Sequence, residues 1–353
     1  MSEEPTRTIE LDRGVFTISL DFELIWGTLD LFGSAGFDRA VRAERELIPR
    51  LLDLFVEYQV PVTWCILGHL FLAECSAESG AKHSEIVRPT HHWHPHDWFE
   101  HDPCGNEITD PLFYGRSLVE LIRACPVPQE IGCHTFSHVV FGDPGCSAAT
   151  AESEIAACVR LARELGIRLR SFAFPRNSVG HLDVLRANGI QIYRGPEPTR
   201  MSDRPWNNVF KRLAHLWAVL RASEPPVVNP EWNQAGLWNI PGSMIYFPMH
   251  GFRRYIPLGR RVKRAVKGLE AAARSRKVFH LWFHPTNLAD EPHRMFAGLR
   301  AILDHARRLA DRNELRILPM GDIVPAWDGG SSSLPIGGPN VMNSTSPNSP
   351  GIN

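Results

Sequence analysis

The chain has 353 residues, of which 43% are hydrophobic and 22% charged, and its formal net charge is −1. These values are ordinary for a globular protein with one large or two small domains, and the balanced charge gives no reason to expect nucleic acid as a partner. Seven irregularly spaced cysteines do not indicate a disulfide framework, and we see neither a signal peptide nor an apolar run of the ~18–20 residues that cross a membrane. We therefore expect a cytoplasmic protein.

Apolar runs rich in β-branched and aromatic residues alternate with amphipathic segments along most of the chain. The runs that predict strands are 14–20, 60–67, 129–133, 169–174, 190–193, 243–247, 278–283 and 315–318. The segments that predict helices are 40–58, 117–124, 149–165, 182–188, 210–220, 259–276 and 296–311. Repeated alternation of this kind predicts a parallel sheet, either open or closed into a barrel.

Two stretches break the alternation. Residues 73–115, called the insertion below, have little periodicity but many aromatic residues, which argues for a functional loop rather than disorder. The chain from residue 329 onward is rich in glycine, serine, proline and asparagine, which predicts disorder. We therefore expect one domain over residues 1–328, with the insertion as a substrate loop, and a disordered tail over residues 329–353.

Two histidines, His134 and His138, follow the strand predicted at 129–133. On a helical turn this spacing places both imidazoles on one face, where they can share a divalent cation if a carboxylate supplies a third ligand. The candidate functional residues all follow or end predicted strands; they are Asp21, Glu23, His134, His138, Arg176 and His284. In α/β barrels the carboxyl ends of the strands form the rim where sites are built.

The order of these motifs resembles that of the polysaccharide deacetylases of the NodB-homology type, carbohydrate esterase family four, over roughly residues 14–325. The matching segments are Ser19-Leu-Asp-Phe-Glu23, His134-Thr-Phe-Ser-His138, Phe172-Ala-Phe-Pro-Arg-Asn177 and Leu281-Trp-Phe-His284. The resemblance implies an α/β fold of one domain, a distorted (β/α)7 barrel that is less closed than the eightfold barrel.

Two positions depart from the commonest family pattern. Phe22 stands where most members have a metal-binding aspartate, and the Asp-x-Glu form found in some members implies that Glu23 takes that role. Residues i and i+2 of a strand point to the same side, so Asp21 and Glu23 can reach one site. Ala173 stands where the family has an arginine, and Arg176 is our candidate to replace its charge in catalysis.

The resemblance implies a hydrolase that removes an N-acetyl group from an amino sugar, as a step in making a cell-surface polysaccharide. It implies a divalent metal on Glu23, His134 and His138, with Asp21 as general base and His284 as general acid. Zinc is the default, although two histidines and one carboxylate also suit iron, cobalt or nickel.

The insertion contains a dense run of histidines and tryptophans, namely His91, His92, Trp93, His94, His96, Trp98 and His101. Three interpretations stay open: an aromatic wall for a sugar ring, plain loop packing, and a second metal site, which the irregular spacing disfavours. We expect Trp93, Trp98 and Pro175 to contact the substrate.

The segment 253–277 carries many lysines and arginines opposed only by Glu270. Such segments are usually solvated faces, and the sharper hypothesis is peripheral contact with anionic lipid or with a lipid-linked sugar precursor.

Two rival functions remain. One is hydrolysis of another non-peptide C–N bond on the same barrel, and the other is a non-catalytic carbohydrate-binding scaffold, for which Phe22 and Ala173 are the only support. The sequence predicts no particular oligomeric state.

Overall fold

The computed structural model describes residues 7–32, 37–75, 81–198, 221–325 and 341–343. The strands in this part are β1 (Arg7–Ile9), β2 (Gly14–Phe22), β3 (Thr63–Ile66), β4 (Glu130–Cys133), β5 (Ser171–Ala173), β6 (Ile192–Arg194), β7 (Glu231–Trp232), β8 (Trp238–Asn239), β9 (Met244–Ile245), β10 (Val278–Phe283), β11 (Leu315–Ile317) and β12 (Val341–Asn343). The helices are α1 (Trp26–Phe32), α2 (Asp38–Glu57), α3 (Arg116–Arg123), α4 (Ala148–Glu164), α5 (Leu182–Ala187), α6 (Leu258–Ser275) and α7 (Pro292–Asp311).

The strands form one sheet in the order β12-β1-β7-β8-β6-β5-β4-β3-β2-β10-β9, and β11 pairs with β2 off this path. Every neighbouring pair from β8 to β9 is parallel, as is the pair of β11 with β2. In the described part of the chain, the antiparallel strand pairs lie at one end of the sheet, between β12 and β1, β1 and β7, and β7 and β8. The carboxyl ends of the parallel strands therefore meet along one rim, as the alternation of the sequence predicts.

The central strand β2 carries the acidic motif to this rim. All nine of its residues are buried, and it pairs with β3, β10 and β11. The amphipathic helix α2 contributes buried apolar side chains to the same core, namely Val41, Leu47, Ile48, Leu51, Leu52, Leu54 and Phe55. Because each fully buried side chain of this size contributes about 1.5–3 kcal/mol, the position of the end of β2 is strongly fixed.

Local signals in the sequence locate most helices to within a few residues. Helix α4 begins after Ser147, whose hydroxyl accepts a hydrogen bond from the backbone N–H of Thr150 at 3.0 Å. It ends before Gly166, which takes the left-handed φ of 68° that favours glycine. In the described residues, no helix is both long and apolar enough to span a bilayer.

Several short elements differ from the sequence-based expectations. Strands β1, β7, β8 and β12 have two or three residues each, too few to show an alternating pattern. β12 lies inside the tail predicted to be disordered, where it pairs with β1; the rest of 329–353 lies outside the described residues. The helix predicted at 210–220 also lies outside them.

Candidate active site

The acidic motif ends β2 with two carboxylates on one side of the strand. Asp21 is 3% exposed and Glu23 is 9% exposed, whereas Phe22 points the other way into the hydrophobic core. The Glu23 side chain runs across Gly27 in α1, where a Cβ atom would lie only 1.6 Å from Glu23 Oε2. Gly27 therefore leaves the space through which this carboxylate reaches the rim.

The histidine loop (residues 134–138) meets Glu23 from the end of β4. His134 Nε2 lies 2.8 Å and His138 Nε2 lies 3.4 Å from Glu23 Oε1. The other ring nitrogen of His134, Nδ1, lies 2.8 Å from the carbonyl oxygen of Ala173. Because a carbonyl only accepts, Nδ1 donates this hydrogen bond, and Nε2 is the ring nitrogen that could bind a metal.

The histidine loop is not the helical turn that its spacing suggests. Thr135 has φ of 61° and His138 has φ of 69°, both in the left-handed region. Two backbone hydrogen bonds stabilise this shape, from Gly68 N to Thr135 O at 2.8 Å and from His69 N to Phe136 O at 2.9 Å. The two imidazoles converge through an irregular turn, with ring centroids 5.5 Å apart.

Glu154, a buried residue of α4, holds the histidine loop from behind. Its Oε2 accepts the backbone N–H groups of Phe136 at 2.8 Å and Ser137 at 2.9 Å, and its Oε1 accepts the Ser137 hydroxyl at 2.6 Å. Burial raises the pKa of Glu154, and these hydrogen bonds only partly offset that effect. The carboxyl group therefore satisfies buried donors that the left-handed turn leaves unpaired.

The positive charge beside Asp21 comes from Arg194. Its Nη1 and Nη2 donate to the two carboxylate oxygens at 2.7 and 2.6 Å, and the arginine side chain is only 1% exposed. Arg194 ends β6 and is the cross-strand partner of Ala173 on β5. A charge missing at the family's position on β5 is thus supplied by the neighbouring strand.

Arg176 does not occupy this position. It is exposed, in a short turn after β5, with a left-handed φ of 55°. The structure thus brings Arg194 rather than Arg176 to Asp21. Arg194 satisfies the same sequence criterion as the other candidates, because it directly follows the strand predicted at 190–193.

Further buried groups hold Arg194 in place. Its Nη1 also donates to Ser19 Oγ at 2.9 Å, and Ser19 Oγ lies 2.8 Å from Nε2 of His280. The face of Trp282 lies 4.4 Å from the guanidinium carbon. Burial, followed by the charge of Arg194, lowers the pKa of His280 to about 3, so this histidine is a neutral hydrogen-bonding partner.

His284 follows β10 and closes the site opposite the histidine loop. Its Nε2 lies 3.4 Å from Glu23 Oε1 and 3.8 Å from Asp21 Oδ2. Its side chain is 29% exposed, in contrast to 3% for Asp21, so the imidazole is the part of this group that solvent and ligands reach. The position suits a group that exchanges protons with a bound molecule.

The charges at the site oppose one another in a definite way. Burial by itself would raise the pKa of Asp21 and of Glu23, but Arg194 lowers the first, and His284 with the histidine loop lowers the second well below its ordinary value. Burial would lower the pKa of His284, but Glu23 and Asp21 outweigh it and raise that pKa. Near neutral pH the site therefore presents two carboxylates and a histidine that favours its protonated form.

The pKa of a third carboxyl group nearby, that of Glu44, indicates negative charge at the site. Glu44 on α2 is 1% exposed, and its pKa is raised well above the ordinary value by burial and then by the charge of Glu23. Concentrated negative charge of this kind favours a bound cation.

Aromatic residues of the insertion border the histidine loop. Trp98 Nε1 lies 3.0 Å from both the carbonyl oxygen and the hydroxyl oxygen of Ser137. Trp93 stacks on His91 with ring centroids 4.8 Å apart and donates to Asp143 at 2.9 Å. A shallow surface hollow lies here, lined by Trp26, Leu29, His94, Trp98, His101 and Ser137.

One expectation about this region differs from what the structure shows. Pro175 is buried, so it presents no surface for a substrate to contact. Among the described residues, none of the five histidines between 91 and 101 belongs to a cluster of metal-binding groups. His91 instead lies 2.8 Å from Asp143, and His94 packs edge-on against Trp98.

The geometry makes Glu23, His134 and His138 a candidate metal centre. One donor atom from each residue lies within 4.8 Å of the others. His134 directs its Nε2 atom to the centre, and Glu23 is held in its anionic form, so the group offers an imidazole nitrogen and a carboxylate to a metal. Two imidazoles and one carboxylate leave further coordination positions open for water or a substrate.

Comparison by sequence finds nothing, since neither a family model nor a curated protein matches the chain. Comparison by structure finds a Mycobacterium smegmatis protein described as a "putative polysaccharide deacetylase", with a TM-score of 0.57, 12% identity, and coverage of 91% of this chain and 93% of that one. The chitin deacetylase of Colletotrichum lindemuthianum gives a TM-score of 0.44 at 10% identity, covering 92% and 95%. At 12% identity the first likeness establishes the fold and leaves activity open. The predicted α/β fold is confirmed, and the chain has the fold of the polysaccharide deacetylases of the NodB-homology type.

Proposed function

We propose that the protein is a metal-dependent hydrolase that removes the N-acetyl group of an amino sugar. The observation that carries this proposal is the convergence of two overlapping groups of donors at one rim. One group is Glu23, His134 and His138, and the other is Asp21, Glu23 and His284, each with its donor atoms within 4.8 Å of one another.

Glu23, His134 and His138 would hold the metal. When bound, a divalent cation at this position lowers the pKa of a coordinated water and polarises an amide carbonyl. The donor set contains no sulfur, and it suits zinc, iron, cobalt or nickel. Zinc is our first choice because hydrolysis involves no change of oxidation state and Zn²⁺ is not redox-active. It also accepts three protein ligands with one position left open.

Asp21 would take the proton of the attacking water. Its carboxylate is held anionic by Arg194, and each carboxylate oxygen retains a second lone pair after accepting one hydrogen bond from the guanidinium. The bidentate pair also fixes the direction in which the base points, because a planar guanidinium matches a carboxylate in only one arrangement. Arg194 is therefore a positioning residue.

His284 would donate a proton to the leaving nitrogen. Water adds its hydroxyl to the carbonyl carbon, the C–N bond breaks, and the nitrogen takes a proton, giving acetate and a free amine. An amide nitrogen leaves poorly without protonation, so the reaction needs an acid near the base. His284 has the exposure and the raised pKa for this role, since neighbouring Glu23 and Asp21 stabilise its protonated form.

An amino sugar is the substrate class that the surroundings support best. Tryptophan faces such as those of Trp93 and Trp98 suit the apolar face of a sugar ring, and Trp98 lines the surface hollow beside Ser137. We propose a precursor of a cell-surface polysaccharide in the cytoplasm as the substrate. The seven cysteines are all unpaired, as expected for a reducing compartment.

The geometry weakens the case for a non-catalytic scaffold. That interpretation depends on Phe22 and Ala173, the two departures from the family pattern. Glu23 brings a carboxylate to the histidine loop in spite of Phe22, and Arg194 brings a positive charge to Asp21 in spite of Ala173. Both departures are therefore compensated by a nearby residue.

The experiment is a product assay on N-acetylated amino sugars supplied free, nucleotide-linked and lipid-linked, with cyclic and simple amides in the same panel. We expect acetate from the sugars, lost in Asp21→Asn, and stoichiometric metal that is lost in His134→Ala. Release of ammonia, or ring opening of a cyclic amide without acetate, would favour the rival C–N hydrolase. Absence of both metal and product would favour the scaffold.

We also propose that the basic segment 253–277 contacts anionic lipid or a lipid-linked precursor. Part of its charge is internal, since Arg261 is 2% exposed and Arg264 is 5% exposed, and Arg261 donates to the carbonyl of Phe247 at 2.6 Å. The exposed cations Arg260 and Lys263 remain available on the surface. Co-sedimentation with anionic but not neutral vesicles is expected, and equal binding to both would remove this proposal.

A further inference from the structure

A second group of metal-binding residues lies inside the protein, outside the catalytic arrangement. It consists of His69 from the turn after β3, and of Cys75, His83 and Asp102 from the insertion. One donor atom from each lies within 4.8 Å of the others. His69 is 0% exposed, Asp102 1% and His83 8%, whereas Cys75 is partly buried, so three of the four side chains are shielded from solvent.

The hydrogen bonds within this cluster leave His69 poorly satisfied. In the described part of the chain neither of its ring nitrogens makes a hydrogen bond of good geometry, and Nε2 lies 3.3 Å from Asp102 Oδ2. The same oxygen lies 2.7 Å from His83 Nε2. A fully buried imidazole without a well-formed hydrogen bond is unfavourable, and a metal ion at this point would supply the missing partner.

Asp102 is oriented as a metal ligand would be. Its Oδ1 accepts the hydroxyl of Tyr114 at 3.2 Å and the backbone N–H of Cys104 at 3.0 Å. These bonds leave Oδ2 directed at His69, Cys75 and His83. Neighbouring donors that fix the second oxygen of a carboxylate are typical of metal sites.

The spacings suit a small tetrahedral ion. Bonds of about 2.0–2.3 Å to nitrogen, oxygen and sulfur place neighbouring tetrahedral donors roughly 3.3–3.7 Å apart. Asp102 Oδ2 lies 3.3 Å from His69 Nε2 and 3.7 Å from Cys75 Sγ. The 2.7 Å contact with His83 would have to lengthen when the proton between these atoms gives way to a metal.

We propose that His69, Cys75, His83 and Asp102 form a zinc site that stabilises the insertion. A thiolate and a carboxylate together neutralise a divalent cation, and the two imidazoles complete four donors of the kinds that zinc prefers. All four positions come from the protein, so the site is closed and structural rather than catalytic.

The site would join the insertion to the histidine loop. His69 donates its backbone N–H to Phe136 in that loop, and the His69 and His83 rings lie 5.6 and 5.2 Å from the Phe136 ring. Trp26, which lines the surface hollow, packs on His69 with centroids 4.3 Å apart. An ion here would hold Trp26, which lines the surface hollow, and the histidine loop in one arrangement.

Cobalt(II) distinguishes this site from the catalytic one. The catalytic donors include no sulfur, so a near-ultraviolet thiolate-to-cobalt charge-transfer band reports the Cys75 site alone. We expect the full-length protein loaded with cobalt to show this band, and two equivalents of zinc per chain, one for each proposed site, to remove it. His134→Ala should keep the band, Cys75→Ala should lose it, and the matched control Cys125→Ser should keep it.

The cobalt spectrum does not depend on deacetylase activity. The zinc site can therefore be confirmed or refuted even if the protein releases no acetate. A wild-type protein that binds cobalt without the band overturns the proposal, as does a band that persists in a folded Cys75→Ala protein. If Cys75→Ala does not fold, the wild-type spectrum and its zinc titration still decide. A protein without the band would instead have a metal-free, hydrogen-bonded cluster in this position.

Discussion

Replacing Arg194 by methionine tests whether this arginine holds the catalytic carboxylate. The change removes two charge-assisted hydrogen bonds of 2.7 and 2.6 Å from Asp21 and leaves a carboxylate that is 3% exposed without its partner. Breaking a buried ion pair in this way destabilises a protein by about 3–5 kcal/mol. If a similar loss falls on the transition state, kcat/KM decreases by about two orders of magnitude or more.

The pH dependence of kcat/KM tests the same ion pair, because Arg194 changes the pKa of Asp21. In the native protein the pKa of Asp21 is lowered, so its ion pair contributes stability above the pKa of an unfolded aspartate, and that contribution is lost as the pH falls through the folded pKa. Without Arg194, burial dominates and raises the pKa. The acid limb of kcat/KM should therefore move to higher pH in Arg194→Met, with the metal content unchanged.

Arg176→Met is the matched control, because Arg176 is the exposed arginine that the sequence pattern first indicates for this role. We expect its kcat/KM to stay within a few-fold of the wild type and its acid limb to stay in place. Circular dichroism and metal analysis of both variants separate catalysis from unfolding. Equal losses in the two variants, or an unshifted acid limb in folded Arg194→Met, would refute the reasoning.

Three further changes test the rest of the site. Gly27→Ala places a Cβ 1.6 Å from Glu23 Oε2, so it should displace that carboxylate and weaken metal binding by tenfold or more, as measured by chelator competition; unchanged affinity would contradict it. Glu154→Ala leaves two backbone donors of the histidine loop unpaired, at about 1–3 kcal/mol each, and should lower the midpoint of unfolding, whereas Glu154→Gln should restore most of it. His284→Gln should retain its metal, lower kcat by about 10²–10⁴ and abolish the alkaline limb of the pH profile, because the raised pKa keeps the acid protonated only below that pKa; an intact limb would assign it to another group.

The sequence predicts the framework well because the framework is local. Strand β10 was expected at 278–283 and spans those residues, since a run of apolar and aromatic side chains specifies a buried strand without reference to the rest of the chain. The helix predicted at 149–165 is α4, displaced by one residue, because a serine cap and a glycine stop mark its ends. Short strands such as β1 and β7 lack such signals, as their pairing depends on partners distant in sequence.

The motif residues and the rim on which they lie follow from the sequence alone, because side chains at the ends of parallel strands must share one edge of the sheet. The tertiary structure decides which of them meet. Arg194 reaches Asp21 because β6 pairs in register with β5, which places it beside Ala173, and no local pattern specifies that register. The His69 cluster likewise forms only when the insertion folds back on the turn after β3, because contacts between distant segments depend on packing rather than on spacing along the chain.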